Sequence, residues 1–115
     1  MDANSVKSQV LTDSIIVINP GRLLDNNNAH FVAQKLSEAR SKGRKFVIMD
    51  MAELEFLSSA GVGAILGSIE DFRGIGGDII LCNASSTILH VFKVLDLDGY
   101  LTIKTTQEDA VSHCK

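Results

Sequence analysis

Apolar and polar positions change period several times along the chain, and each change marks a new element. Val6–Leu11, in which Val6, Val10 and Leu11 flank Lys7-Ser8-Gln9, and the apolar run Ile15–Ile18 are separated by the turn formers Thr12-Asp13-Ser14, a pattern that predicts a hairpin. Asn19-Pro20-Gly21 then turns the chain. Ala29, Val32, Ala33 and Leu36 follow at helical spacing. Asn26-Asn27-Asn28 offer side-chain oxygens as N-caps for that helix, and Lys42-Gly43 ends it. Phe46–Met49 is a continuous apolar run of the kind found in strands covered on both faces.

A second helix is predicted from Ala60 to Arg73, with Val62, Ile65, Leu66, Ile69 and Phe72 as its apolar stripe and the glycine-rich stretch from Gly74 to Gly77 as its break. Ile79–Cys82 reads as another buried strand. Ser85–Leu95 reads as a third helix with Ile88, Val91, Phe92 and Leu95 on one face. Leu101–Thr105 and Glu108–Cys114 complete the chain as a strand and a short helix. The predicted order is β-β-α-β-α-β-α-β-α. Such alternation implies an α/β fold: a mostly parallel central sheet with an N-terminal β-hairpin and about four helices packed against it. There is no repeat, low-complexity tract or linker, so residues 1–115 are read as a single domain.

Composition narrows the function. The chain is 45% hydrophobic and 22% charged, which is globular rather than disordered. With five Phe, one Tyr and no Trp, the core must be mainly aliphatic. Eleven basic residues against 14 acidic ones give a net charge of −3, which offers no footprint for nucleic acid or an anionic membrane. No apolar run approaches the ~20 residues of a membrane span. The first ten residues, MDANSVKSQV, lack the features of a secretory signal. With only Cys82 and Cys114 and no such signal, reduced thiols and a cytoplasmic location are expected.

Candidate chemistry gathers where α/β sheets place it, beyond the carboxyl ends of the strands. The loop after Phe46–Met49 runs through Phe56-Leu57-Ser58-Ser59-Ala60-Gly61-Val62-Gly63 straight into the second helix. Two readings of this segment stay open on the residues alone. In one, a serine caps the helix and the glycines permit close packing. In the other, a serine at the helix start carries a phosphate that the helix dipole stabilises, and the small residues leave the surface open to a partner. Gly21-Arg22-Leu23-Leu24-Asp25 reaches the same edge, where Arg22 either is solvated or meets a partner's carboxylate or phosphate. Asp50, at the end of its strand, is suited to accept amide hydrogen bonds from the next loop or to bind a cation, and the structural role is the favoured one. GVGAILG lacks the Lys-Ser/Thr of a phosphate-cradling loop, and the Gly74–Gly77 segment follows a helix instead of a strand, so neither reads as a nucleotide site. His30, His90 and His113 show no catalytic or metal-ligand spacing. No cofactor is expected. Cys82 reads as a core thiol, and Cys114 as incidental.

The stretch VIMDMAELEFLSSAGVGAIL resembles the signature of STAS domains, and most closely that of the bacterial anti-sigma factor antagonists. The Gly21–Asp25 turn, the Gly76-Gly77 pair before a strand and Leu95-Asp96-Leu97 extend the resemblance over nearly the whole chain. The resemblance implies partner switching by a protein that is not an enzyme. The unphosphorylated chain would bind an anti-sigma factor that is also a serine kinase of the histidine-kinase-like ATPase type, freeing a sigma factor. The kinase would phosphorylate the chain, and a serine phosphatase would reset it. Aligning Phe56-Leu57 and Gly61-Val62-Gly63 places the phosphoacceptor at Ser59. Ser58 falls where the family usually carries Asp, which makes it a rival acceptor, and Ala60 falls where the family carries Ser or Thr. One extra residue lies between Leu23 and Asp25. The partner surface implied is Gly21, Arg22, Leu23, Asp25, Ser58, Ser59, Ala60, Gly61, Val62 and Gly63. The alternative is a non-enzymatic STAS subunit of another assembly, such as a lipid ABC transporter or a stress-signalling complex.

Overall fold

The computed structural model describes residues 6–114. The reading of a missing export signal rests partly on residues 1–5, which lie outside the described residues. The expected α/β architecture is present. Strands β1 (Lys7–Val10), β2 (Ile15–Asn19), β4 (Phe46–Asp50), β6 (Asp78–Cys82) and β7 (Thr102–Ile103) form one sheet in the order β1-β2-β4-β6-β7. Two further strands, β3 (Leu23–Leu24) and β5 (Phe56–Leu57), pair apart from it. Between and after them come helices α1 (Ala29–Ser41), α2 (Ser59–Arg73), α3 (Ser86–Val94) and α4 (Gln107–His113). β1 and β2 make the antiparallel hairpin, and every other pairing in the main sheet is parallel.

Strand alternation divides the core between the two faces of the sheet. Ile16 and Ile18, Val47 and Met49, and Ile79 and Leu81 point to one face. There they meet Val32 and Leu36 of α1, Val62, Ile65, Ile69 and Phe72 of α2, and Ile88 and Phe92 of α3. Ile15, Val17, Ile48, Ile80 and Cys82 point to the other face, where α4 contributes Ala110 and Val111. The side chain of Cys82 is fully buried, as expected of a core thiol. Burial pushes it up to about 12, with the nearby Asp50 and Glu108 carboxylates adding to the shift. Cys114 is half-buried. It packs against the α4 face and donates to the Ala110 carbonyl at 3.3 Å, and burial raises it to about 11.

Several boundaries differ from expectation. β7 is two residues long rather than five, although backbone bonds to the β6 side run on past it: Lys104 N donates to the Leu81 carbonyl at 2.8 Å, and the Thr105 carbonyl accepts from Asn83 N at 3.1 Å. Leu95 caps the end of α3 and is 48% exposed, so it does not belong to the buried stripe. α2 begins at Ser59, one residue before the predicted start, because Ser58 takes the cap.

The far end of α2 is fastened to the sheet. Arg73 pairs with Asp78 at 2.9 Å, donates to the Tyr100 carbonyl at 2.7 Å and lies over the Tyr100 ring at 4.6 Å. Asp78 also accepts from Thr102 at 2.6 Å, and the Tyr100 hydroxyl donates to Glu70. Helix, strand start and the last sheet strand are thereby joined at one corner.

Candidate functional site

β2, β4 and β6 are parallel, so their carboxyl ends share one edge, and the loops that follow β2 and β4 rise from it together. Each loop contains a two-residue strand. Leu23 lies opposite Phe56, and Leu24 opposite Leu57, in a parallel ladder. The Arg22 carbonyl accepts from Glu55 N at 2.7 Å and from Phe56 N at 3.2 Å, and the Leu24 carbonyl accepts from Ser58 N at 2.9 Å. The ladder thus ends at Ser58, the cap of α2. Asn19 reinforces the junction: its side chain accepts from Gly21 N at 2.8 Å and donates to Glu53 at 3.2 Å. Gly21 has φ of +88°, in the region that favours glycine. Asp50 takes the structural role expected of it, accepting from Ala52 N and from the Asn83 amide, each at 3.1 Å.

Of the three asparagines read as caps for α1, Asn28 occupies the N-cap position but makes no capping bond to the helix. It is buried instead, accepting from Asp25 N at 2.9 Å and donating to the Leu23 carbonyl at 2.6 Å. Its amide therefore ties the turn to β3. A buried amide left unpaired is costly, and the loop supplies both partners.

The serine pair divides its labour. The Ser58 hydroxyl accepts from Gly61 N at 3.3 Å and is the N-cap of α2. Ser59 is the first residue of the helix and is exposed, and its hydroxyl has no hydrogen-bond partner among the described residues. The first turn of α2 holds no acidic residue, so the positive end of the helix dipole is uncompensated there.

The implied surface residues do not all reach the surface. Arg22, Leu23, Ser59 and Gly63 are exposed, and Asp25, Ser58 and Ala60 are half-buried. Gly21, Gly61 and Val62 are buried, so they shape the site from beneath. Gly61 shows why. A methyl built there would lie 2.7 Å from the Leu24 carbonyl oxygen and 2.8 Å from both Leu24 Cγ and Leu57 Cδ1. The small residues differ in this respect: Gly61 permits close packing, whereas a methyl at Gly63 would meet nothing within 4 Å. Arg22 is not simply solvated. It makes a two-pronged pair with Glu55, at 2.9 and 3.3 Å, across the two loops. The pairing raises the Arg22 guanidinium and lowers the Glu55 carboxyl.

The sequence reading missed Phe56, which is 52% exposed, and the ladder that displays it. The only available signal was the pairing of one outward and one inward apolar residue in each loop, Leu23-Leu24 and Phe56-Leu57.

The sheet is mostly parallel and covered on both faces, and it presents an exposed serine at a helix start. The STAS domain family model matches residues 8–110, and the chain belongs to that family. The anti-sigma F factor antagonist of Lysinibacillus sphaericus is 28% identical over 108 residues, covering 93% of this chain and 92% of that one. The anti-sigma factor antagonist SpoIIAA in its unphosphorylated form superposes with a TM-score of 0.82 at 27% identity, covering 94% of each chain. The phosphorylated form of the Bacillus cell fate determinant SpoIIAA gives 0.74 at 27% identity, covering 94% of this chain and 97% of that one. Among the described residues no helix is long and apolar enough to cross a membrane.

Proposed function

We propose that the chain is an anti-sigma factor antagonist that works by partner switching, with Ser59 as the phosphoacceptor. In this reading the unphosphorylated chain binds an anti-sigma factor that is a serine kinase of the histidine-kinase-like ATPase type, releasing a sigma factor. The kinase phosphorylates Ser59, and a serine phosphatase restores the hydroxyl. The observation that carries the assignment is the contrast between the two serines. Ser58 Oγ is engaged by Gly61 N, whereas Ser59 presents a free hydroxyl from the first position of α2. The relatives support the role: they are antagonists, and SpoIIAA exists in both phosphorylation states.

Electrostatics supplies the switch. A phosphoserine adds roughly −1.5 to −2 charges, taking the chain from −3 to about −5. The neutral hydroxyl and its small neighbours allow close docking. A dianion there must be desolvated on rebinding, and each 1.4 kcal/mol of that cost is about tenfold in affinity.

Incubation with the anti-sigma kinase and ATP is expected to add one phosphate to the wild-type chain and to Ser58→Ala, and none to Ser59→Ala, as read by intact mass and peptide mapping. Labelling retained in Ser59→Ala and lost in Ser58→Ala would refute the assignment.

A further inference from the structure

Leu23 and Phe56 are direct cross-strand partners, 41% and 52% exposed, while the next pair along the ladder, Leu24 and Leu57, is buried. Alternation along the strands therefore turns one apolar pair inward and holds the other out to solvent. The backbone bonds of the ladder fix them there. Of the five Phe residues Phe56 alone is exposed; Phe31 and Phe46 are half-buried, and Phe72 and Phe92 are buried. Scattered exposed apolar residues are ordinary, and Val94, 68% exposed at the end of α3, is one. Leu23 and Phe56 differ from it in being paired and in lying beside the acceptor serine.

Distance makes that proximity decisive. Phe56 precedes Ser59 by three residues, so their Cα atoms are at most about 11 Å apart. Leu23 lies one strand spacing, about 4.8 Å, beyond Phe56. A standard interface covers about 800 Å² of each partner, a patch of roughly 16 Å radius. A protein seated over Ser59 therefore spans the pair as well. Its surroundings match the anatomy of a binding centre: apolar side chains in the middle, with the exposed Arg22–Glu55 ion pair at the rim.

We propose that Leu23 and Phe56 form the apolar anchor of the complex with the kinase-type anti-sigma factor, entering a hydrophobic pocket on that partner. The proposal rests on the Ser59 reading above. It assigns attraction and release to different residues: the anchor supplies affinity, and the serine supplies the switch.

The test uses the full chain carrying Ser59→Ala, which cannot be phosphorylated there, with the anti-sigma kinase bound to ADP as the probe and calorimetry as the readout. In that background Phe56→Ser and Leu23→Ser are each expected to weaken binding about tenfold or more, in the range of truncated interface anchors. Phe56→Leu should keep most of the affinity, and Val94→Ser all of it. Chemical unfolding of each variant checks that the fold is retained; both anchor side chains are largely exposed, and the two variants report independently. Affinity within about twofold of the parent for both serine variants would overturn the anchor, as would an equal loss in Val94→Ser. If sedimentation shows that Phe56→Ser instead dissociates a dimer of this chain, the pair belongs to a self-interface and the proposal fails. If the Ser59→Ala parent does not bind the kinase, the reading of the site fails, and the anchor with it.

Discussion

Gly61→Ala probes the joint between the helix and the ladder. The substitution has two opposing effects. In an exposed helix interior, alanine is worth about 1 kcal/mol over glycine. At Gly61 the new methyl would press on the Leu24 carbonyl at 2.7 Å and on Leu24 Cγ and Leu57 Cδ1 at 2.8 Å. None of these atoms yields easily. Leu24 is fully buried, Leu57 nearly so, and the Leu24 carbonyl is bonded to Ser58 N. Overpacking of this kind costs about 1–3 kcal/mol. Gly67 provides the reference, because it lies in the same helix and a methyl there meets nothing within 4 Å. Gly61 stands in the first turn of α2 and Gly67 in its interior, so comparing the two alanine variants removes most of the propensity gain and leaves mainly the packing cost. Gly67→Ala is expected to stabilise by up to about 1 kcal/mol. Gly61→Ala should be less stable than Gly67→Ala by about 1–3 kcal/mol, a Tm gap of about 4–12 °C for a domain of this size. Urea unfolding followed by circular dichroism measures both. A Gly61→Ala variant as stable as Gly67→Ala would refute the claim that helix and ladder are in rigid contact.

Three further outcomes are expected. Ser58→Ala should lose about 1 kcal/mol of stability with its cap, Ser58→Asp should recover it, and Ser59→Ala should leave the unfolding midpoint unchanged. Asn28→Ala should cost about 2 kcal/mol in the same assay, since it removes two buried hydrogen bonds and leaves the Leu23 carbonyl without its amide donor. Alkaline pH should destabilise the fold through Cys82. Its folded value of about 12 exceeds the ordinary 9.0, so above pH 9 the unfolded chain loses a proton that the folded chain keeps. That contribution is intact below pH 9 and declines by about 1.4 kcal/mol per pH unit up to pH 12; Cys82→Ala, compared with the wild type across a pH series of urea curves, should lessen the decline and leave the part that Cys114 adds between pH 9 and about 11.

The main sheet and its helices were legible because their signals are long. Ile15–Ile18, Phe46–Met49 and Ile79–Cys82 are unbroken apolar runs, and the stripes of α1 and α2 repeat over about two and three turns. The site itself was only half legible. The motif pointed to Ser59, but β3 and β5 are two residues each, too short for any periodicity to register, and neither is stable without the other. Their pairing joins segments 33 positions apart, a relation no local window contains. The same holds for Asn28, where three consecutive asparagines all look like caps. Only the tertiary position of the Leu23 carbonyl makes one of them a loop tie instead.

Helix α2 is held at both ends. Ser58 and the ladder grip its start, and the Arg73–Asp78–Tyr100 corner grips its finish. Its buried face, Val62 to Phe72, locks the length between. An element so clamped is poorly placed to transmit a charge at its first residue as motion. On the function proposed above, a phosphate on Ser59 would act as a fixed local field, and in physiological salt such a field fades over about 8 Å. Its message would then be legible only by touch: a partner must bring its own charges within that radius of Ser59 to sense which state the protein is in.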